Sequence, residues 1–397
     1  MVATTTTAAI PPTEMKAMVT GSTIDLIQSL RYYGPKQLKV EYVPPLGCKS
    51  DEVRLKIAYC GICGSDIHEY LGGPIFPPKA GHKHPYTGVQ LPVTLGHEFS
   101  GTVIEVGSNV RNFSVGQKVA VIPSLDDRHY GAAACFACQS EKRNLCEKWA
   151  TYGLNASGGG LASEIVVNSV SCIALPDNVS LKSAALVEPL AVAWHCIRLS
   201  GIQKGQKAVI FGAGPIGLAI LMLLKAMGAS LVIISEVTDM RMQQARKFGA
   251  DHVVNPLAGL SQTGDTLAKD PVTALVHELT NDQGVEVAFD ASGLQSTLDA
   301  AIASTRIGGT IFNVAIHEKP LQIHLNDLLL AEKKLMGGIC YTEEDFNAVI
   351  AALRDGTIPA EEMITSIVPL SKAIEGGFLE LINNKAAHVK ILIQPDK

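Results

Sequence analysis

The chain has little that would direct it to a membrane or to a polyanion. No run of about 18 apolar residues, the length a helical membrane span needs, occurs among its 397 residues. It has no extended basic stretch, and its formal net charge is −5. That balance argues against nucleic acid or an anionic lipid surface as a partner. Residues 1–14 lack the basic start and apolar centre of a secretory signal, and the first arginine is Arg31, which argues against an Arg-rich transit peptide. This Thr-, Ala- and Pro-rich segment reads as a mobile tail on a cytoplasmic protein. A disulfide framework is also missing: nine cysteines are an odd number, and no secretion signal accompanies them. The groups Cys60/Cys63 and Cys135/Cys138/Cys146 point instead to metal or thiol chemistry. No internal repeat is present.

Hydrophobic residues make up 47% and charged residues 18%, an ordinary globular mixture. The length exceeds what one core usually serves, so two domains are expected. The first half is punctuated by Gly and Pro, with short β-rich runs at 53–58, 101–106 and 118–122 and few long amphipathic helices. From about residue 183 strand and helix patterns alternate. Strands are expected at 208–211, 231–235, 285–290 and 310–314, and helices at 216–227, 240–248 and 296–302. That alternation means βαβ units and a parallel sheet, so the fold class is α/β. A helix at 344–354 and an apolar strand at 389–393 close the chain.

The strand at 208–211 runs into Gly212-Ala-Gly214-Pro215-Ile216-Gly217 and then a helix. Gly212 permits the tight turn, Gly214 lets the backbone approach a pyrophosphate, and Gly217 lets helix and strand pack closely. The helix start, with Pro215 and Ile216, offers free N–H groups and a positive dipole end to phosphates. The next strand ends at Glu236, 22 residues past Gly214. An acidic group there binds both ribose hydroxyls of NAD and repels the 2′-phosphate of NADP. Arg241, five residues on, would soften that preference.

Three fragments carry donors suited to a catalytic metal: Cys60-Gly-Ile-Cys63-Gly-Ser65-Asp66-Ile-His68-Glu, Gly96-His97-Glu98 and Val187-Glu188-Pro189. Catalytic zinc uses about three Cys, His or carboxylate ligands and keeps one position open. Spacing alone leaves each residue open to a plainer role, as a buried thiol, a loop histidine or a surface carboxylate.

With Leu91-Pro-Val-Thr-Leu-Gly-His97-Glu-Phe-Ser-Gly-Thr102, Val187-Glu-Pro-Leu190 and Ile339-Cys-Tyr-Thr342, these fragments resemble the zinc-containing medium-chain alcohol dehydrogenase family, in its (R,R)-butanediol dehydrogenase-like branch. The resemblance runs from about residue 30 to the C-terminus. It implies a mostly-β GroES-like catalytic domain at 30–192 and 341–397, a Rossmann domain at 193–340, and an extra N-terminal segment at 1–29. It implies that Cys63 and His97 are zinc ligands, that Glu98 and Glu188 lie in or beside the ligand set, and that Asp66 orients the histidine. Ser65 and His68 match the family's proton-relay positions, and a histidine titrates in the range that role needs. Cys60 reads as a packed thiol. Zinc and NAD(H) are the implied cofactors, a small secondary alcohol or vicinal diol of the 2,3-butanediol/acetoin type the implied substrate, and a homodimer or homotetramer the implied assembly.

The family's structural zinc lobe has cysteines spaced C-x2-C-x2-C-x7-C. Here Cys135, Cys138 and Cys146 fit the last three positions, and Ala132 stands at the first. A closed site wants four ligands, so the site is either empty or completed by a substitute, for which Asp126, Asp127 and His129 lie close in sequence. Two other functions compete with the diol dehydrogenase: a polyol or amino-alcohol dehydrogenase with the same metal and cofactor, and a non-redox enzyme or nucleotide-binding protein on the same fold. The pocket that separates the first two is set by the segment 70–91 and His317. Within it His82 and His84 read as exposed loop residues.

Overall fold

The computed structural model describes residues 16–19, 22–258, 270–317 and 319–396. The tail expected at 1–14 lies outside the described residues.

Alternation along single strands builds the cofactor-binding half. In Lys207–Phe211, Ala208 and Ile210 face one way and Val209 and Phe211 the other, and all four are buried. The first pair joins a core with the helices Val187–Ser200 and Pro215–Met227. The second joins a core with Pro271–Leu279 and Gln295–Ser304. A strand covered on both faces is what a continuous apolar run specifies. Six parallel strands follow in the order His252–Val254, Leu231–Ser235, Lys207–Phe211, Val285–Asp290, Thr305–Asn313 and Lys334–Gly337. The chain order reverses between Lys207–Phe211 and Val285–Asp290, where ligands of such sheets bind at the strands' carboxyl ends.

The other half is mostly β. Glu52–Gly61, with Val53, Leu55 and Ile57 buried, is central to a seven-stranded sheet. It pairs with Glu98–Val106, Glu164–Asn168 and the C-terminal strand Lys390–Gln394. The last pairing sets Leu392 against Gly61 and Ile393 against Cys60, so the end of the chain returns to the first metal fragment. A GroES-like β unit joined to a Rossmann sheet is the α/β architecture expected.

We propose the domain division 30–192 plus 341–397 and 193–340. The helix Val187–Ser200 runs unbroken across its first boundary.

Two elements differ from expectation. After a short antiparallel pair, Lys16–Val19 with Ser22–Asp25, the family-like region expected from about residue 30 opens with a strand that starts at Ile27 and forms a hairpin with Gln37–Val43. The sequence hid this because Gln28 and Ser29 are polar yet buried; Ser29 Oγ meets Thr94 Oγ1 at 2.8 Å, and the Gln28 N–H donates to Ser163 Oγ at 3.2 Å. The strand expected at 310–314 starts at Thr305, beyond Gly308 and Gly309, and a register irregularity separates its pairing at Val285 from that at Val287.

Candidate active site and metal centres

Cys63 caps the N-terminus of the helix Gly64–Gly72. Its N–H donates to Asp66 Oδ2 at 2.9 Å, and the helix's positive end favours a thiolate there. Gly96 has φ +93°, and a side chain on it would strike Leu161 and Cys60 Sγ. That glycine turn places His97 and Glu98 at the head of the strand Glu98–Val106. One donor atom each from Cys63, His97 and Glu98 lies within 4.8 Å of the others. A sulfur, an imidazole nitrogen and a carboxylate oxygen so placed suit zinc.

His97 Nε2 lies 3.2 Å from Ser65 Oγ. On the far side of the ring, Nδ1 and Asp66 Oδ1 face each other at 3.6 Å, and both are buried without a hydrogen-bond partner. Burial would hold the ring neutral, but Asp66, Cys63 and Glu188 outweigh it and push its pKa well above the usual value. The structure thus has an anionic pocket around an imidazole, which a divalent cation at Nε2 would satisfy. His68, three residues after Ser65 on the same helix, is exposed. Cys60 is fully buried, with its thiol raised by burial and donating to the Gly61 carbonyl.

The two carboxylates are held differently. Glu98 is buried, and Lys390 Nζ donates to both of its oxygens at 2.7 Å. Glu188, in the first turn of the helix Val187–Ser200, is outside the 4.8 Å set. Burial raises its pKa to about 7, with His97 and the hydroxyl of Tyr341 opposing the shift. Lys390 and Tyr341 are the functional contacts that motif reading missed. A lysine inside the apolar run His388-Val-Lys390-Ile-Leu-Ile was the available signal for the first, since such a charge is buried only when paired.

At the dinucleotide turn Gly212 has φ +99°, a region L side chains avoid. A Cβ on Gly217 would overlap the Gly212 carbonyl oxygen, whereas one on Gly214 meets nothing within 4 Å. Gly217 therefore serves helix packing, while Gly214 keeps space open beside the helix start at Pro215 and Ile216. Glu236 spans the turn: one oxygen accepts from Ala213 N and the other from Val237 N and Thr238 N, each at 2.9 Å. Arg241 reaches to the Lys385 carbonyl at 3.4 Å. His317 bonds Asn313 Oδ1 and the Gly293 carbonyl at the carboxyl end of the sheet.

The segment 74–90 is pinned over the β unit. Both oxygens of Glu69 accept from Ile75 N and Phe76 N, Phe76 packs on Trp149, and Tyr86 on Tyr130. His82 is exposed, but His84 is half-buried and accepts from Thr87 N, which corrects its reading as an exposed residue. Among the described residues neither histidine belongs to a metal-sized cluster.

The other such cluster among the described residues is formed by Cys135, Cys138, Cys146 and Asp127. Ala132 offers only its N–H, which donates to the Asp127 carbonyl. All nine cysteines are free thiols.

Comparison with known proteins follows this geometry. The signature "Alcohol dehydrogenase GroES-like domain" matches residues 49–177, and "Zinc-binding dehydrogenase" matches 215–355. The chain is 39% identical over 360 residues to "(R,R)-butanediol dehydrogenase" of Saccharomyces cerevisiae, covering 87% of this chain and 92% of that one. It is 39% identical over 371 residues to the enzyme of the same name from Bacillus subtilis, covering 93% and 100%. The crystal structure of 2R,3R-butanediol dehydrogenase from Bacillus subtilis superposes with a TM-score of 0.83 at 38% identity, covering 93% of this chain and all of that one.

Proposed function

The chain belongs to the zinc-binding alcohol dehydrogenase family with a GroES-like domain, and from that premise we propose that it moves a hydride between a vicinal diol or its hydroxyketone, 2,3-butanediol and acetoin, and NAD(H). The observation that carries the substrate class is the near full-length similarity to two enzymes bearing the butanediol dehydrogenase name. Zinc, when bound, makes an alcohol hydroxyl more acidic and polarises a carbonyl, while the nicotinamide ring accepts or returns the hydride.

Cys63 and His97 hold the metal, and a carboxylate completes the set. Lys390 occupies both oxygens of Glu98, which leaves Glu188 as the more readily exchanged ligand. Asp66 Oδ1, 3.6 Å from Nδ1, sets a negative charge behind the ring of His97 and leaves Nε2 to face the centre. Ser65 Oγ, 3.2 Å from that nitrogen, receives the substrate's proton, and His68 on the exposed side of the same helix passes it to solvent. Gly212, Gly214 and Gly217 seat the pyrophosphate at the helix start. Glu236 presents its carboxylate to the ribose and repels a 2′-phosphate. Arg241 is turned to Lys385, so NAD remains the preferred cofactor.

We further place the protein in the cytoplasm as a homodimer or homotetramer. The parallel sheet ends on the edge strand Lys334–Gly337, and Ile307, Leu329 and Leu330, close to it in the chain, are exposed apolar side chains, features by which one chain can pair with another.

The test is a substrate panel of diols, polyols and hydroxyketones with NAD(H) and NADP(H), before and after chelation. Oxidation of 2,3-butanediol with NAD, lost on chelation, is expected. Preference for a polyol such as sorbitol, or no turnover with any alcohol, would replace this reading. Cys63→Ser is expected to lose the catalytic metal and nearly all turnover while NAD still binds.

A further inference from the structure

We propose that Asp127 is the fourth ligand of a zinc ion held by Cys135, Cys138 and Cys146, replacing the thiolate that Ala132 cannot provide. The inference does not depend on the substrate reading, because this lobe is separate from the Cys63–His97 centre.

Four facts on the page carry it. The three sulfurs and an Asp127 oxygen all lie within 4.8 Å of one another. A Zn–S bond of about 2.3 Å puts two sulfurs of a tetrahedral shell about 3.8 Å apart, and Cys135 Sγ and Cys146 Sγ are 3.9 Å apart. Asp127 is almost wholly buried, with 1% of its surface exposed, and a buried carboxylate beside three thiols needs positive charge. One such charge is built in: Lys148 Nζ donates to Asp127 Oδ1 at 2.8 Å, while the Cys135 N–H donates to Oδ2 at 2.7 Å. The Lys148 N–H also donates to Cys146 Sγ at 3.4 Å, the kind of outer contact that orients a ligand and tempers the negative charge of a three-thiolate, one-carboxylate set.

The two other substitutes offered by the sequence, Asp126 and His129, are committed elsewhere. Asp126 caps the turn Asp127–Tyr130 and holds the Arg128 guanidinium with both oxygens. His129 accepts from the Asp126 N–H at Nδ1 and meets Ser171 Oγ at Nε2, which leaves no ring nitrogen for a metal. The substitution of the first cysteine is therefore answered from five residues upstream, by a turn that brings a carboxylate into the same tetrahedron.

Metal counting on the full-length protein tests this. The wild type is expected to hold two zinc ions per chain, Asp127→Ala one, and Asp126→Asn two. Asp127→Cys, which supplies a fourth thiolate, is expected to keep two ions. In its cobalt-exchanged form the thiolate-to-cobalt absorption should rise by about a quarter, as five thiolate bonds per chain, that of Cys63 included, replace four. Asp127→Ala retaining two ions, or wild type holding only the ion that Cys63→Ser removes, overturns the assignment. If Asp127→Ala does not fold, the cobalt spectrum of Asp127→Cys decides: an unchanged band means residue 127 is outside the metal shell.

Discussion

Lys390 stands in an apolar strand at the end of the chain, yet its ammonium is gripped by Glu98 and the Ile62 carbonyl. Burying such a pair gains little over an apolar substitute, but removing one partner strands the other charge at a cost of about 3–5 kcal/mol. Lys390→Met is therefore expected to lower the urea midpoint sharply. The double variant Lys390→Met, Glu98→Gln should recover most of the loss, which unfolding curves of the three proteins check. The same residues show where sequence reading reaches its limit. Cys63, Ser65, Asp66 and His68 lie within six positions, and His97 adjoins Glu98, so their chemistry is written in short fragments. Lys390 lies 292 positions from Glu98, and only the pairing of Lys390–Gln394 with Glu52–Gly61 brings it there. Glu236 was legible because its place at a strand end is fixed by the βαβ repeat. A Glu236→Ser variant should narrow the preference for NAD over NADP by raising NADP turnover, read as kcat/KM for each cofactor.

At the level of elements, the helix Val187–Ser200 carries the most weight. It opens with Glu188 and buries Leu190, Ala191, Ala193 and Ile197 against the helix Pro215–Met227 and the sheet. Its middle is tied to Glu343–Arg354 by His195 and Arg198, both bonded to the buried Asp345 at 2.7 and 2.8 Å. Asp345 is also bonded by Thr342 N at 2.8 Å. Burial would raise the Asp345 carboxyl, but these donors outweigh it and hold it well below the ordinary carboxylate value of 3.8. A carboxyl whose pKa is depressed on folding stabilises the fold above its unfolded pKa and loses that contribution as the pH falls. The wild type's urea midpoint is thus expected to drop between pH 5 and pH 3, and that of Asp345→Asn to start lower and fall less. The strand and helix alternation of this half was plain in the sequence because 2- and 3.6-residue periods are local. The Ile27–Val43 hairpin was not, since its buried positions include the polar Gln28 and Ser29.

For the whole molecule, the open strand edge and its exposed leucines make assembly a concrete expectation. Sedimentation should give a multiple of the 42.1 kDa chain. The double variant Ile307→Asp, Leu330→Asp should shift it to the single chain without disturbing the circular dichroism of the fold. Two units were foreseeable from length and from the change of texture near residue 183. The meeting of their surfaces was not, because it depends on contacts such as the Asn144 amide on the Ile339 carbonyl and Lys247 beside Glu362.

The unbroken helix between the units has a mechanical result. Fourteen residues at about 1.5 Å each make a rod about 21 Å long, fixed in the nucleotide half and tipped by a carboxylate at the catalytic centre. Tilting that rod by about 5° would sweep its tip through about 2 Å, which moves Glu188 toward or away from the Cys63–His97 pair. A hinge motion between the halves would therefore move Glu188 relative to Cys63 and His97, which the β unit carries.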